Sequence, residues 1–173
     1  MDTGERAERD EHGAQHHEES EFRVTPSDTG ASLASHLAPL PLSGRSCRTC
    51  TLCCRLPDID ALEKPANAWC RHCVAERGCT IYAVRPTLCR DFLCAWMTKP
   101  DLDAEWDPLV AHMMVYEQGP QTTVLVDPDH PAIWKQAPYK ILLERWAAEA
   151  QTRGGYVIVF VGDDVFKVEP AQT

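Results

Sequence analysis

The chain has 173 residues, enough for one domain with a buried core plus a tail, and a formal net charge of −9. No 18-residue apolar run is present, which excludes a membrane-spanning helix, and no basic start leads into an apolar stretch as a secretory signal requires. The expected location is therefore cytoplasmic, where disulfides rarely persist.

In chain order, residues 1–42 are expected to be a disordered acidic tail and leader. Charged and small polar residues dominate up to Glu21, leaving few apolar groups to offset ordering entropy. Leu33 to Leu42 is a proline-punctuated leader suited to the domain edge. His12, His16 and His17 read as solvated tail residues rather than ligands. A single domain is expected over 43–173, with a cysteine segment at 43–99 and an α+β segment at 100–173.

Nine cysteines fall in the 48 residues from Cys47 to Cys94, and none lies elsewhere. They are Cys47, Cys50, Cys53, Cys54, Cys70, Cys73, Cys79, Cys89 and Cys94. An odd count in a reducing compartment fits poorly with a disulfide framework. The spacing points instead to metal, through loops and short helices wrapped around thiolate-bound ions. Within the segment, Leu56 to Glu63 reads as a turn into one short helix, with Asp58 or Asp60 near its start. Cys79 to Val84 is a short extended or helical piece stopped by Pro86. Thr87 to Trp96 reads as helical, with Leu88, Phe92 and Trp96 four apart on one apolar face.

Two partitions of the thiols are physically sensible. Cys47, Cys50 and Cys53 form a C-x2-C-x2-C run that could wrap three corners of an iron–sulfur cubane, with Cys79, Cys89 or Cys94 as the fourth ligand. Cys54 would then point away toward a second centre. Alternatively, Cys47/Cys50 and Cys70/Cys73 are two knuckles 19 residues apart, which suits a four-thiolate zinc site. The remaining thiols would supply a second site with one spare. The cofactor expectation is an iron–sulfur cluster or Zn2+, with enough ligands for two centres. His72 is read as lying outside the metal's ligand set, and Trp69 and Trp96 as a hydrophobic shield.

Charge is unevenly spread. Residues 1–42 carry nine acids and three bases (−6), and residues 100–173 carry twelve acids and five bases (−7). Residues 43–99 carry nine bases and five acids (+4). Eight thiolates around two divalent ions would add about −4, so the bases read as counter-charge to a metal site. A nucleic-acid patch would have to bring phosphates up to two acidic flanks, which argues against nucleic acid as a partner. Metal ions are the expected partners, a protein docking on the C-terminal sheet edge stays open, and no membrane partner is expected.

Beyond the cysteines the chain reads as β-β-α-β-β. Ala111–Tyr116 and Thr122–Val126 flank Gln118-Gly-Pro as a hairpin. Tyr139 to Thr152 carries Ile141, Leu142, Arg145 and Trp146 at helical spacing and stops at Gly154-Gly155. Tyr156–Val161 and Val165–Val168 around Gly162-Asp163 form a second hairpin. The fold class expected is α+β. No repeat and no phosphate loop is present.

Cys47-x2-Cys50-x2-Cys53-Cys54, then Cys70, then Cys79-x-Ile-Tyr-x-x-Arg85-Pro86-x-x-Cys89-Arg90-x-Phe92, resembles the zinc- or iron-chelating CxxCxxCC domain family, whose small members are called YkgJ-type cysteine cluster proteins. The resemblance covers about 47 to 98. It implies a bacterial cytoplasmic metal-binding protein with Cys47, Cys50, Cys53, Cys54, Cys70, Cys79 and Cys89 as ligands. Cys73 and Cys94 lie outside its shortest pattern. A larger relative, a flagellin lysine N-methylase, shares the cysteine pattern, which opens a redox or methyl-transfer enzyme as an alternative. A structural zinc module that mediates protein interaction is a third reading. Pro86 sets the approach of the chain to Cys89. Arg85 and Arg90 are the candidates to stand behind the thiolates, neutralising charge and donating hydrogen bonds. Asp91 is the one acid beside the motif, with a salt bridge as its expected role.

Overall fold

A computed structural model describes residues 40–47, 49–75 and 77–171. All the described residues belong to one compact unit. The tail expected over 1–42 lies outside the described residues up to position 39, as do His12, His16 and His17. Leu42, at the end of the leader, donates its N–H to the Met97 carbonyl at 2.8 Å. No helix among the described residues is long and apolar enough to cross a membrane.

The architecture is α+β. Its centre is a four-stranded sheet of β3 (Met113–Gln118), β4 (Gln121–Val126), β5 (Val157–Val161) and β6 (Asp164–Val168), in that spatial order. The outer pairs are antiparallel hairpins, while β4 and β5 run parallel. Parallel neighbours need a crossover, and the 14-residue helix α5 (Tyr139–Thr152) supplies it. The β-β-α-β-β order expected from the sequence is therefore present, joined into one sheet by a βαβ unit at its middle.

Two glycines are required by geometry. Gly119 turns the first hairpin at φ 59°. At Gly155, just past α5, a Cβ would stand 1.9 Å from the Pro120 carbonyl oxygen, so the chain entering β5 passes where no side chain fits.

Strand alternation gives the sheet two different faces. Met113, Val115, Val124, Val126, Val157, Val159 and Val168 are buried in the main core beneath α5, with Leu143, Trp146 and Ala147 of that helix. The helix buries Tyr139, Leu143, Trp146, Ala147 and Ala150, while Ile141 stands exposed. The inward stripe is thus offset from the Ile141/Leu142/Arg145/Trp146 set expected from the sequence. The apolar residues of that set straddle the stripe's edge, and small alanines complete it.

The opposite face carries Met114 and Leu125, which pack with Leu52 and Leu56. Those leucines come from the cysteine segment, on and just after the short helix α1 (Leu52–Arg55). The sheet is covered on one side by α5 and on the other by the cysteine segment.

That segment is built from short pieces. A 3-10 turn at Asp60–Leu62 stands where one short helix was expected. A two-residue ribbon pairs β1 (Cys73–Val74) with β2 (Gly78–Cys79), and a 3-10 turn at Tyr82–Val84 precedes Pro86. The helical stretch expected over Thr87–Trp96 is broken into α2 (Thr87–Asp91) and α3 (Ala95–Thr98), with Phe92 extended at ψ 124° between them. The break overturns the single Leu88/Phe92/Trp96 face. Leu88 is exposed, Phe92 packs edge-on against Tyr116 at 5.6 Å, and Trp96 joins the main core. Two different cores pull Phe92 and Trp96 apart, and this outweighs local helical spacing. A further short helix, α4 (Pro108–Ala111), leads into β3.

Candidate metal centre

All nine cysteines are free thiols, and their backbones are pinned in specific ways. Two of the three C-x2-C pairs close as tight turns, with Cys50 N–H to Cys47 carbonyl at 2.7 Å and Cys73 N–H to Cys70 carbonyl at 2.9 Å. Cys54 accepts the Cys70 N–H at 2.8 Å, which brings the end of the first run against the start of the second. Cys73 and Cys79 are direct partners across the β1–β2 ribbon. Cys89 lies on α2, held from behind by Arg85 Nε donating to its carbonyl at 3.1 Å.

The thiols fall into two neighbourhoods. The Cys54 thiol lies within interaction reach of Cys53 and Cys73. Cys73 lies within electrostatic reach of Cys54, Cys70 and Cys79, and Cys89 within reach of the same three. Cys54, Cys70, Cys73, Cys79 and Cys89 thus share one space, with Cys53 at its margin. The other neighbourhood holds Cys47, Cys50 and Cys94: Cys50 is within reach of Cys94 and Cys47, and Cys94 of Cys47. Cys47 also feels Cys54, the link between the two.

The zinc partition does not match this grouping, whereas the first partition, with Cys94 as the fourth ligand and Cys54 turned toward a second centre, shares Cys47, Cys50 and Cys94 with it and differs at Cys53. Cys47 and Cys50 are gathered with Cys94 rather than with Cys70 and Cys73. Cys73, placed by spacing alone, sits in the middle of the larger group. Chain spacing reports which thiols are local neighbours; the long-range ones are chosen by the ribbon and by the break after α2. Among the described residues, no three or more His, Cys, Asp or Glu side chains stand in an arrangement that could hold a metal ion. The thiols are gathered without closing on a common point.

Burial and neighbouring thiols favour the protonated form of Cys47, Cys50, Cys54, Cys73, Cys89 and Cys94. Burial raises Cys50 to about 11, although the Leu52 N–H works against it. Burial, with Cys54 alongside, raises Cys73 to about 12. Cys54 is pushed far up, first by the neighbouring Cys53 thiol and then by burial. An ion binding here must displace protons.

The cations beside the thiols are not those the sequence singled out. Lys64 is buried, and its ammonium donates to the carbonyls of Arg55, Pro57 and Pro65. Burial lowers its pKa, and the nearby Cys70 and Cys54 pull it back up. A lysine at 5% exposure in a loop-built segment is a buried counter-charge beside Cys70 and Cys54. Sequence counting included Lys64 but had no signal that it would be buried.

Arg85 stacks on Tyr82 at 3.7 Å, donates to the Tyr82 and Cys89 carbonyls, and lies within reach of Cys47 and Cys89. It therefore stands behind Cys89 through that residue's backbone carbonyl. Arg90 engages Asp91 at 3.4 Å and the Thr87 hydroxyl at 3.2 Å on the exposed side of α2. Asp91 is thus salt-bridged.

Two arginines counted as counter-charge hold structure instead. Arg45 caps the carbonyls of Trp96, Lys99 and Leu102 and lies over the Trp96 ring at 5.0 Å. Arg55 reaches across to Asp127 at 2.8 Å and Asp129 at 2.9 Å, tying α1 to the end of β4. Its guanidinium also lies over Trp69 at 5.3 Å, and Trp69 is more than half exposed. His72 contributes its carbonyl to Thr80.

No family model, no curated protein and no solved structure matches this chain.

Proposed function

We propose that this chain is a cysteine-cluster metal-binding protein whose segment 47–94 holds a thiolate-ligated centre, either zinc or iron–sulfur. The observation that carries the reading is the gathering of Cys54, Cys70, Cys73, Cys79 and Cys89 from four separate pieces of chain into one neighbourhood. Five thiols packed together gain little as a hydrophobic core. They repel one another as they ionise, and a thiophilic cation relieves that repulsion. The buried Lys64 beside them and Arg85 behind Cys89 supply the positive groups that thiolate-bound ions recruit. The resemblance to the CxxCxxCC family points the same way, and nine free thiols suit the reducing cytoplasm.

When bound, the ion would tie the segment's short pieces together, as structural thiolate sites do. The chain's own residues set the frame: the Cys54–Cys70 and Cys73–Cys79 backbone contacts position the thiols, and Lys64 lowers the cost of gathering negative charge.

The test is anaerobic purification followed by metal analysis and visible absorption. Stoichiometric zinc in colourless protein, or iron with acid-labile sulfide in brown protein, supports the reading and decides the ion. Protein that carries neither metal and takes up neither on reconstitution sinks it.

A further inference from the structure

We infer that Cys73 and Cys79 form a reversible disulfide across the β1–β2 ribbon when the chain meets a hydroperoxide, and that closing this bridge takes two thiolates from the metal site. The bridge stands on the geometry of the ribbon. Its effect on metal rests on the metal-binding reading above.

Backbone hydrogen bonds fix the register. Cys73 faces Cys79 and Val74 faces Gly78 in an antiparallel pair. The Thr80 N–H donates to the His72 carbonyl at 2.8 Å, and the Thr80 hydroxyl donates to the same oxygen at 3.1 Å. That ladder bond lies beside the cysteines, which makes them a non-hydrogen-bonded pair, the kind whose side chains approach most closely. Opposed residues of this kind have Cα atoms about 4.5 Å apart, within the span of about 4.4–6.8 Å that a disulfide bridges. The connecting loop is already closed by the Arg77 N–H on the Val74 carbonyl at 3.1 Å. Little chain entropy is left to lose when the sulfurs join.

Access favours the same pair. Both cysteines are half-buried, so an oxidant reaches them. Cys70, the other partner that the C-x2-C turn offers Cys73, is buried at 5% exposure. Cys54 also lies within reach of Cys73, but on α1, outside the ladder that holds the register.

The chemistry balances with a hydroperoxide as oxidant. One sulfur of the pair takes an oxygen as the O–O bond breaks, giving a sulfenic acid and an alcohol, or water from hydrogen peroxide. The second sulfur then displaces that oxygen, the S–S bond forms, and water leaves with the remaining thiol proton. The two sulfurs lose two electrons and the peroxide gains them. Two sulfurs on one tetrahedral ion, at bonds of about 2.3 Å, stand about 3.8 Å apart, whereas a disulfide draws them to about 2.05 Å. Metal and bridge therefore exclude one another, and a thiol reductant returns both ligands.

The experiment maps the first bridge. The full chain, reduced and either metal-free or zinc-loaded, is treated with about one equivalent of hydrogen peroxide, enough for one disulfide. It is then alkylated and digested with trypsin, which cuts after Arg77, between the two cysteines. The metal-free chain is expected to yield a crosslink between 72–77 and the peptide that begins at Gly78, assigned by fragmentation to Cys79. Dithiothreitol should remove it. In the zinc-loaded chain, zinc released to a chromophoric chelator should appear in step with the same crosslink and be taken back after reduction. Cys79→Ser should lose the crosslink, with far-UV circular dichroism reporting whether its fold is intact.

A first crosslink between other cysteines, such as Cys47 with Cys50 or Cys54 with Cys73, overturns the bridge and leaves the metal-binding reading standing. So does oxidation to sulfinic acid without a crosslink. A bridge that forms without releasing zinc overturns its effect on the metal site. A chain that closes the bridge but takes up neither zinc nor iron overturns the metal-binding reading while the bridge stands.

Discussion

The sheet with α5 and the cysteine segment are the two halves of this fold, and they are held together by different physics. From Met113 to Val168 the chain closes its own hydrogen bonds in a regular ladder and buries a continuous apolar core. From Cys47 to Thr98 the longest helix is five residues and the only paired strands are two residues each, among the described residues. Elements that short are not stable alone. The segment leans on the sheet through Leu52, Leu56 and Met114, on Arg55 gripping Asp127, and, in the proposed function, on a bound ion. One half carries the larger core, to which the cysteine segment lends Ala95 and Trp96, while the other is stabilised from outside.

The largest effect should come from stripping metal. If the ion ties the cysteine segment together, a strong chelator should collapse amide-exchange protection from Cys47 to Thr98 and leave the β4–β5 amides protected. Equal loss in both halves, or no loss in either, would erase the contrast. Next in size, Leu143→Ala removes a fully buried side chain from the sheet half and should cost about 2–5 kcal/mol in denaturant unfolding. Metal content should be unchanged.

Arg55→Met sharpens the comparison at the seam. It removes the ion pairs to Asp127 and Asp129 and should cost about 1.5–3 kcal/mol, mostly through the partly buried Asp127. Asp129 reads the same contact by pH. Its hydrogen bond to Arg55 holds its carboxyl below the ordinary value of 3.8, so the stabilisation is present above that value and lost as pH falls through the depressed one. Carboxyl NMR should show this depressed titration in the native chain and an ordinary one in Arg55→Met. The smallest effect belongs to Arg90→Ala. Among the described residues Arg90 bonds to exposed neighbours on its own helix, so stability should shift by about 0.5 kcal/mol or less. Arg85→Ala should weaken metal retention more than Arg90→Ala does, in competition with chelator.

The same contrast explains what could be read in advance. The bounds of α5 follow from helical spacing ending at Gly154-Gly155, and both hairpins from their glycine turns. These are local signals, and the sheet half is rich in them. The parallel joining of β4 and β5 was not legible, because no short-range pattern reports which hairpins become neighbours. In the cysteine half, the spacing revealed the two C-x2-C turns. It left Cys79, Cys89 and Cys94 as equal candidates to join Cys50, and only the break after α2, where Phe92 is drawn onto Tyr116, brings Cys94 within its electrostatic reach. Arg45, Arg55 and Lys64 look alike in a charge count. Only the structure separates a carbonyl clamp, a bridge between halves and a buried ammonium beside thiols.

The most direct test of the central claim is thiol reactivity. The native chain, kept anaerobic, should be titrated with a chromogenic thiol reagent before and after a strong chelator is added. The metal-binding account expects most of the nine thiols to stay silent at first, then to react together as metal is released. If all accessible thiols react at once and chelator changes nothing, the cysteines bind no metal and the account fails.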